Sequence, residues 1–204
     1  IKKSPEKKLT YSFVVHKDNI EKKAKVFTWE QVLNGEFPIQ WKNKGVALSV
    51  GNFDGIHLGH FALIDKLKSY TDLISGLVIF KNLSSSLKNY ESDEVETLYQ
   101  KVALCSKKAL DFVVVIDFSS HFSRMEGDAF IDLLLEYLNM KVMIEGQDFR
   151  CGYKGAMGIK EISEYFETNN LELSICDDVF LDGKRISSSL IRDFIYNGDI
   201  VNAE

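Results

Sequence analysis

Val46-Ala-Leu-Ser-Val50 is an apolar run that stops at Gly51, crosses Asn52-Phe-Asp-Gly55 and enters Ile56-His57-Leu-Gly-His60. This reads as a strand over 46–50, a glycine-punctuated turn, and a helix near 57–70 with Leu63, Ile64 and Leu67 on one face. Gly51 and Gly55 permit backbone angles that other residues resist and let a ligand come close to the main chain. His57 and His60 stand three apart, so on a helix they share a face, and Gly59 leaves room beside them. A helix start offers unpaired N–H groups and the positive end of a dipole, which suits an anion. Two imidazoles added to such a site point to phosphate chemistry.

The unit recurs along the chain. Strands are expected at 77–80, 112–116, 141–145 and 171–176, and helices near 93–109, 126–138 and 160–168. Phe112-Val-Val-Val-Ile116 is apolar throughout and bounded by Asp111 and Asp117, as a strand covered on both faces would be. Leu181-Asp-Gly-Lys184 predicts a tight turn, and a last helix begins near Ser188 and stops before Gly198. Apolar strands alternating with helices predict an α/β domain with a doubly wound parallel sheet, its ligands at the carboxyl ends of the strands.

The chain has 204 residues, 45% of them hydrophobic, enough for one well-buried core. A net charge of −5 argues against broad nucleic-acid binding, so polyanionic ligands need a local positive site. No apolar run reaches the length of a membrane span. Cys105, Cys151 and Cys176 are widely spaced and lack a metal-binding pattern, which predicts reduced thiols and a cytoplasmic location. Residues 1–25 hold eight lysines against three acids, a local charge of +5, with Tyr11–Val15 a candidate strand inside them. Residues 1–40 are read as a lysine-rich extension and 41–204 as the functional domain.

Three ordered segments carry a resemblance. Gly51-Asn-Phe-Asp-Gly-Ile-His-Leu-Gly-His60 is similar to the signature of the HxGH nucleotidyltransferases, and its Asn-Phe-Asp-Gly resembles the adenylyltransferase domain of bacterial FAD synthetases. Gly146-Gln-Asp-Phe-Arg-Cys-Gly152 resembles a second motif of that branch, and Ile186-Ser-Ser-Ser-Leu-Ile-Arg192 with Gly198-Asp199 a third. Together they cover roughly residues 45 to 204. The resemblance implies a Rossmann-like fold of the HxGH nucleotidyltransferase type and FMN adenylyltransferase activity, ATP plus FMN giving FAD and pyrophosphate. It also implies magnesium with the ATP, held by phosphates and water. The family's riboflavin kinase domain is expected to be absent from these 204 residues.

The resemblance implies that His57, His60 and Arg192 are catalytic, the histidines donating to the α-phosphate and Arg192 forking onto the outer phosphates. Gly51, Asn52, Phe53, Asp54, Gly55, Gly59, Ser187, Ser188 and Ser189 are expected around the nucleotide. Asn52 and Asp54 fit two jobs equally, ligand contact or a turn bound to its own backbone. One of the three serines suits the helix N-cap. Phe80, Lys81, Asp148 and Arg150 are expected on the FMN side, Arg150 reading equally well as a phosphate contact or an ion-pair member. Glu145 is expected to be either exposed at the sheet edge or paired. Where the family has Thr-Phe-x-Pro-His-Pro this chain has Ile79-Phe-Lys-Asn-Leu-Ser84, which keeps Phe80 and loses the prolines and histidine. That change leaves open another HxGH transferase acting on a different small phosphate. A non-catalytic flavin- or nucleotide-binding module is a third reading.

Overall fold

The computed structural model describes residues 23–81, 95–118 and 122–203. Its centre is a six-stranded sheet: β1 (Lys25–Thr28), β2 (Val46–Gly51), β3 (Ile74–Lys81), β4 (Phe112–Asp117), β5 (Met140–Gly146) and β8 (Glu172–Cys176), in the order β1-β4-β3-β2-β5-β8. Every pairing is parallel. A parallel sheet must be covered on both faces, and the alternation along each strand shows how. Leu48 and Val50 join Phe130, Ile131 and Leu134 of helix α5 (Gly127–Leu138) and Ile162 and Phe166 of α6 (Ile159–Thr168). Ala47 joins Ile64 and Leu67 of α3 (Leu58–Ser69) and Val102 and Cys105 of α4 (Leu98–Lys107) on the other side. The sheet is therefore doubly wound. Strand order reverses between β2 and β5, the crevice where such folds bind ligands.

The boundary expected at residue 40 is wrong. β1 pairs with β4 from Lys25↔Phe112 to Thr28↔Val115, so the domain begins before it. Thr28 caps α1 (Trp29–Leu33): its hydroxyl accepts from Gln31 N at 3.2 Å, and the Gln31 side chain accepts from Thr28 N at 2.9 Å. Phe37 lies 5.1 Å ring to ring from Phe112, and Trp41 of α2 (Ile39–Lys44) 6.0 Å from it. A four-residue strand carries too little alternation to be read from sequence, and flanking lysines hid it. The candidate strand Tyr11–Val15 lies outside the described residues.

The other elements fall close to expectation, with β3 starting three residues earlier, at Ile74. Short pieces were not foreseen: the β6 (Arg150–Cys151)/β7 (Met157–Gly158) hairpin and α8 (Ile200–Ala203). The Asp182-Gly183 turn has positive φ at both residues, 49° and 75°, and joins β9 (Phe180–Leu181) to β10 (Lys184–Arg185) as expected. Helix α7 (Ser188–Tyr196) follows. Among the described residues no helix is long and apolar enough to cross a membrane.

If residues 24–44 belong to the core, Phe37→Ala should cost about 3–5 kcal/mol, as for a buried aromatic. Urea denaturation of the variant checks this; a loss below about 1 kcal/mol would return the segment to the periphery.

Candidate active site

β2 ends at Gly51, where a Cβ would come within 3.3 Å of the Phe53 ring. Phe53 is buried and sits at φ 47°, a strained value for a non-glycine residue, held because its ring packs into the core between the sheet and α3. Its ring centre is 5.2 Å from that of His60. His57 is not inside the helix, as the three-residue spacing predicted. It is the extended N-cap residue, at φ −112° and ψ 178°. Its ring nonetheless stacks on His60 at 3.8 Å and 23°, because its backbone N–H donates to His60 Nδ1 at 3.4 Å. A Cβ on Gly59 would stand 3.1 Å from the His57 ring, so any larger residue would press on this fold-back.

Burial depresses both imidazoles. His57 falls to about 4, with the Arg185 charge contributing, and His60 to about 3, with His57 and Lys101 contributing. Both are neutral near pH 7. Since His60 Nδ1 accepts, its proton lies on Nε2, facing outward as a donor. His57 Nδ1 and Asn52 Oδ1 are buried and find no hydrogen-bond partner among the described residues. Both atoms therefore keep hydrogen-bonding capacity to spare.

Asp54 ties the site together. Its carboxylate is 3% exposed. Oδ1 accepts from Val95 N at 2.9 Å and Glu96 N at 3.2 Å, with Lys101 Nζ 3.8 Å away, and Oδ2 accepts from Arg192 Nη1 at 2.9 Å. Lys101, itself 2% exposed, donates to Asn52 O at 3.1 Å. Ser188 Oγ donates to Asp54 O at 2.6 Å, and Glu96 Oε2 accepts from Ile56 N at 2.9 Å. The Asp54 carboxylate does not bind its own turn; its partners are distant in sequence. Gly55, at φ 57°, lies against Val95.

The remaining serines divide. Ser187 Oγ caps α7 by accepting from Leu190 N at 3.2 Å, and Ser189 is exposed. Asp148, exposed, takes Arg185 Nη1 at 2.5 Å, and Asp178 takes Nη2 at 2.7 Å, so the β5 loop is joined to the β9–β10 hairpin. Among the described residues Arg150 makes no ion pair: Nε donates to Gly155 O at 2.5 Å and Nη2 to Ala156 O at 3.3 Å, bracing its own turn. Phe80 packs 5.5, 5.8 and 6.1 Å from Phe118, Phe122 and Phe130, and Lys81 is exposed at the end of β3. Asn82 to Ser84 lie outside the described residues. Glu145 is neither exposed nor paired with a cation; it is buried against Val50 N and Ser49.

Lys101, Glu96 and Arg185 were missed in the sequence. Lys101 had a signal: it stands at a core position of α4, three after Leu98 and four before Cys105. A charge at such a position needs a buried partner.

The FAD synthetase family model matches residues 39–190. The chain belongs to the FAD synthetase family. Curated relatives are named bifunctional riboflavin kinase/FMN adenylyltransferase. That of Haemophilus influenzae is 29% identical over 79% of this chain and 54% of its own length; that of Buchnera aphidicola subsp. Schizaphis graminum is 27% identical over 83% and 57%. The chain thus spans little more than half the length of these relatives. The fold is shared with a solved Streptococcus pneumoniae protein titled a macrolide-efflux protein, at TM-score 0.74 and 22% identity over 87% of this chain and 58% of that one. It is also shared with a Francisella tularensis pantoate-beta-alanine ligase, at TM-score 0.56 and 14% identity over 85% and 78%.

The depressed histidines set an acid limit on stability. Their contribution is complete above the ordinary imidazole value of 6.5 and is lost as pH falls toward about 4 and 3. The thermal midpoint should therefore drop across that window, and less steeply in a His57→Asn/His60→Asn double variant. Parallel curves would mean that burial does not govern these rings.

Proposed function

We propose that this chain is an FMN adenylyltransferase, joining AMP from ATP to the phosphate of FMN with release of pyrophosphate. The observation that carries the reading is the neutral His57–His60 stack with an unpartnered ring nitrogen, close to the charges of Arg185 and Arg192 at the reversal of strand order. Membership of the FAD synthetase family supports the choice of FMN as acceptor.

The reaction asks for little proton transfer. An FMN phosphate oxygen is already a nucleophile, its bond to the α-phosphorus forms as the bond to the pyrophosphate oxygen breaks, and the leaving group carries off the electron pair. Rate comes from alignment and from neutralising charge on the α-phosphate oxygens. A neutral imidazole with its proton on Nε2 donates to such an oxygen without titrating near pH 7. The α7 N-terminus, with Ser188 fixed on the Asp54 carbonyl, presents its free N–H groups on the same side. Arg192 is anchored on Asp54 through Nη1, which leaves its other N–H groups for the outer phosphates. Asp148 orients Arg185 on the acceptor side. Among the described residues no group of three or more His, Cys, Asp or Glu side chains converges to hold a metal. On this reading magnesium would ride on the phosphates and water.

Incubation with ATP, magnesium and FMN, followed by mass analysis, tests the reading: FAD and pyrophosphate are the expected products. AMP transfer to another phosphate but not to FMN would favour a different nucleotidyltransferase. His57→Ala and His60→Ala should each lower kcat on the order of 10²-fold with a smaller change in ATP affinity. Near-normal turnover in both would remove the histidines from the mechanism. Arg192→Ala should weaken ATP binding, and Arg192→Lys should restore it only in part, since an ammonium cannot fork across two oxygens. Unchanged affinity in titrations of Arg192→Ala would leave Arg192 a purely structural partner of Asp54.

A further inference from the structure

The two strands that frame the crevice do not stay paired to their ends. β2 pairs with β3 as far as Gly51↔Ile79, and β5 with β8 as far as Gly146↔Cys176, but the β2–β5 ladder stops at Leu48↔Met143. Beyond that point the sheet forks. The carboxyl of Glu145, 2% exposed, lies in the fork: Oε1 accepts from Val50 N at 2.7 Å and Oε2 stands 3.4 Å from Ser49 Oγ. A side chain thus does what a strand carbonyl would do, and at a greater separation of the two backbones.

We propose that Glu145 is the positioning residue that holds this fork open and so sets the His57–His60 loop against the Gly146–Gly152 loop. The proposal rests on the functional reading above. Both loops start at this wedge. Val50 leads through Gly51 to Phe53, whose ring lies 5.2 Å from that of His60. Glu145 leads through Gly146 to Asp148, which grips Arg185. A closing fork would move one loop relative to the other without disturbing either.

Among the described residues no cation pairs with the carboxyl. From β2 it meets an N–H and a hydroxyl. From β6 and β8 the titratable groups that sense it are Cys151 and Cys176, thiols raised by burial, Cys151 to about 12. Arg150 and Asp128 act on Cys151, and Lys66 and Asp177 on Cys176; none of these four contributes to the state of Glu145. Burial pushes the Glu145 carboxyl well above its ordinary value, with Val50 N and the Ser49 hydroxyl pulling back only partly. A neutral acid still accepts from Val50 N and from the Ser49 hydroxyl; it also puts no negative charge beneath a polyphosphate. A raised acid value means that the folded state holds its proton longer. The associated stability is full below the ordinary carboxylate range and is lost as pH rises toward the raised value.

Glu145→Gln copies the neutral acid, acceptor and donor alike. Glu145→Leu fills the space and leaves Val50 N unpaired. Steady-state FAD synthesis, calorimetric binding of a non-hydrolysable ATP analogue, and thermal midpoints from pH 6 to 10 compare them. Glu145→Gln should keep kcat within about twofold at pH 7 and lack the alkaline fall of the wild type. Glu145→Leu should remain folded and lose about tenfold in kcat, the order expected of a small misplacement, with a lesser change in KM for ATP. Wild-type kcat in Glu145→Leu, or an alkaline fall that persists in Glu145→Gln, would overturn the proposal. If the wild type forms no FAD, the functional reading fails by itself and Glu145 is judged on the other two measurements. A wild-type midpoint that falls relative to Glu145→Gln as pH rises, with weaker analogue binding in Glu145→Leu, supports the wedge; parallel midpoints refute it.

Discussion

A carboxylate placed where water barely reaches is costly unless its lone pairs are occupied, and Asp54 is such a group. Its two oxygens gather the N–H groups of Val95 and Glu96, the guanidinium of Arg192 and, at longer range, the ammonium of Lys101. These donors come from three parts of the chain: the segment just before α4, the body of α4, and α7. The bend that carries the histidines is therefore set by the need of one buried charge to be solvated by protein. The strained backbone of Phe53, next to it, persists because this network and the core beneath it leave no looser alternative.

The site is built in two tiers. Below lies a set of groups that never need touch a substrate: Asp54, Lys101, Glu96, and the Glu145 carboxyl in the fork between β2 and β5. Above them stand the groups with spare hydrogen-bonding capacity, His57, His60, Asn52 and the outward N–H groups of Arg192. Adenylyl transfer fits that division, because the chemistry is slow mainly for want of alignment and charge neutralisation. Neutral imidazoles are apt donors there. A buried imidazolium pair stacked ring on ring would repel itself, and burial keeps both rings uncharged.

The rest of the crevice is less tightly bound. Asp148 is exposed and held by one arginine, Lys81 is exposed, and the Phe80 cluster supplies an apolar wall at the carboxyl ends of β3 and β4. The Asp54 network is by comparison closely tied.

Periodicity in the sequence determined the α/β alternation, the doubly wound sheet and the position of the glycine turn before His57, because these follow from which residues must be buried on two faces of a strand. Asp182-Gly183 likewise dictated its own hairpin through positive φ. Strand β1 was not legible, since four residues that begin on a lysine carry no period. Partnership was not legible either. That Asp54 would serve Arg192 and not its own turn, that Arg150 would brace a backbone turn, that Arg185 would grip Asp148, and that Glu145 would be swallowed by a fork in the sheet all depend on contacts across 5 to 138 positions in the chain. Composition and spacing state which groups are present. Only the packed structure decides which of them lose water, and a polar group that loses water must take the partner that the fold brings to it.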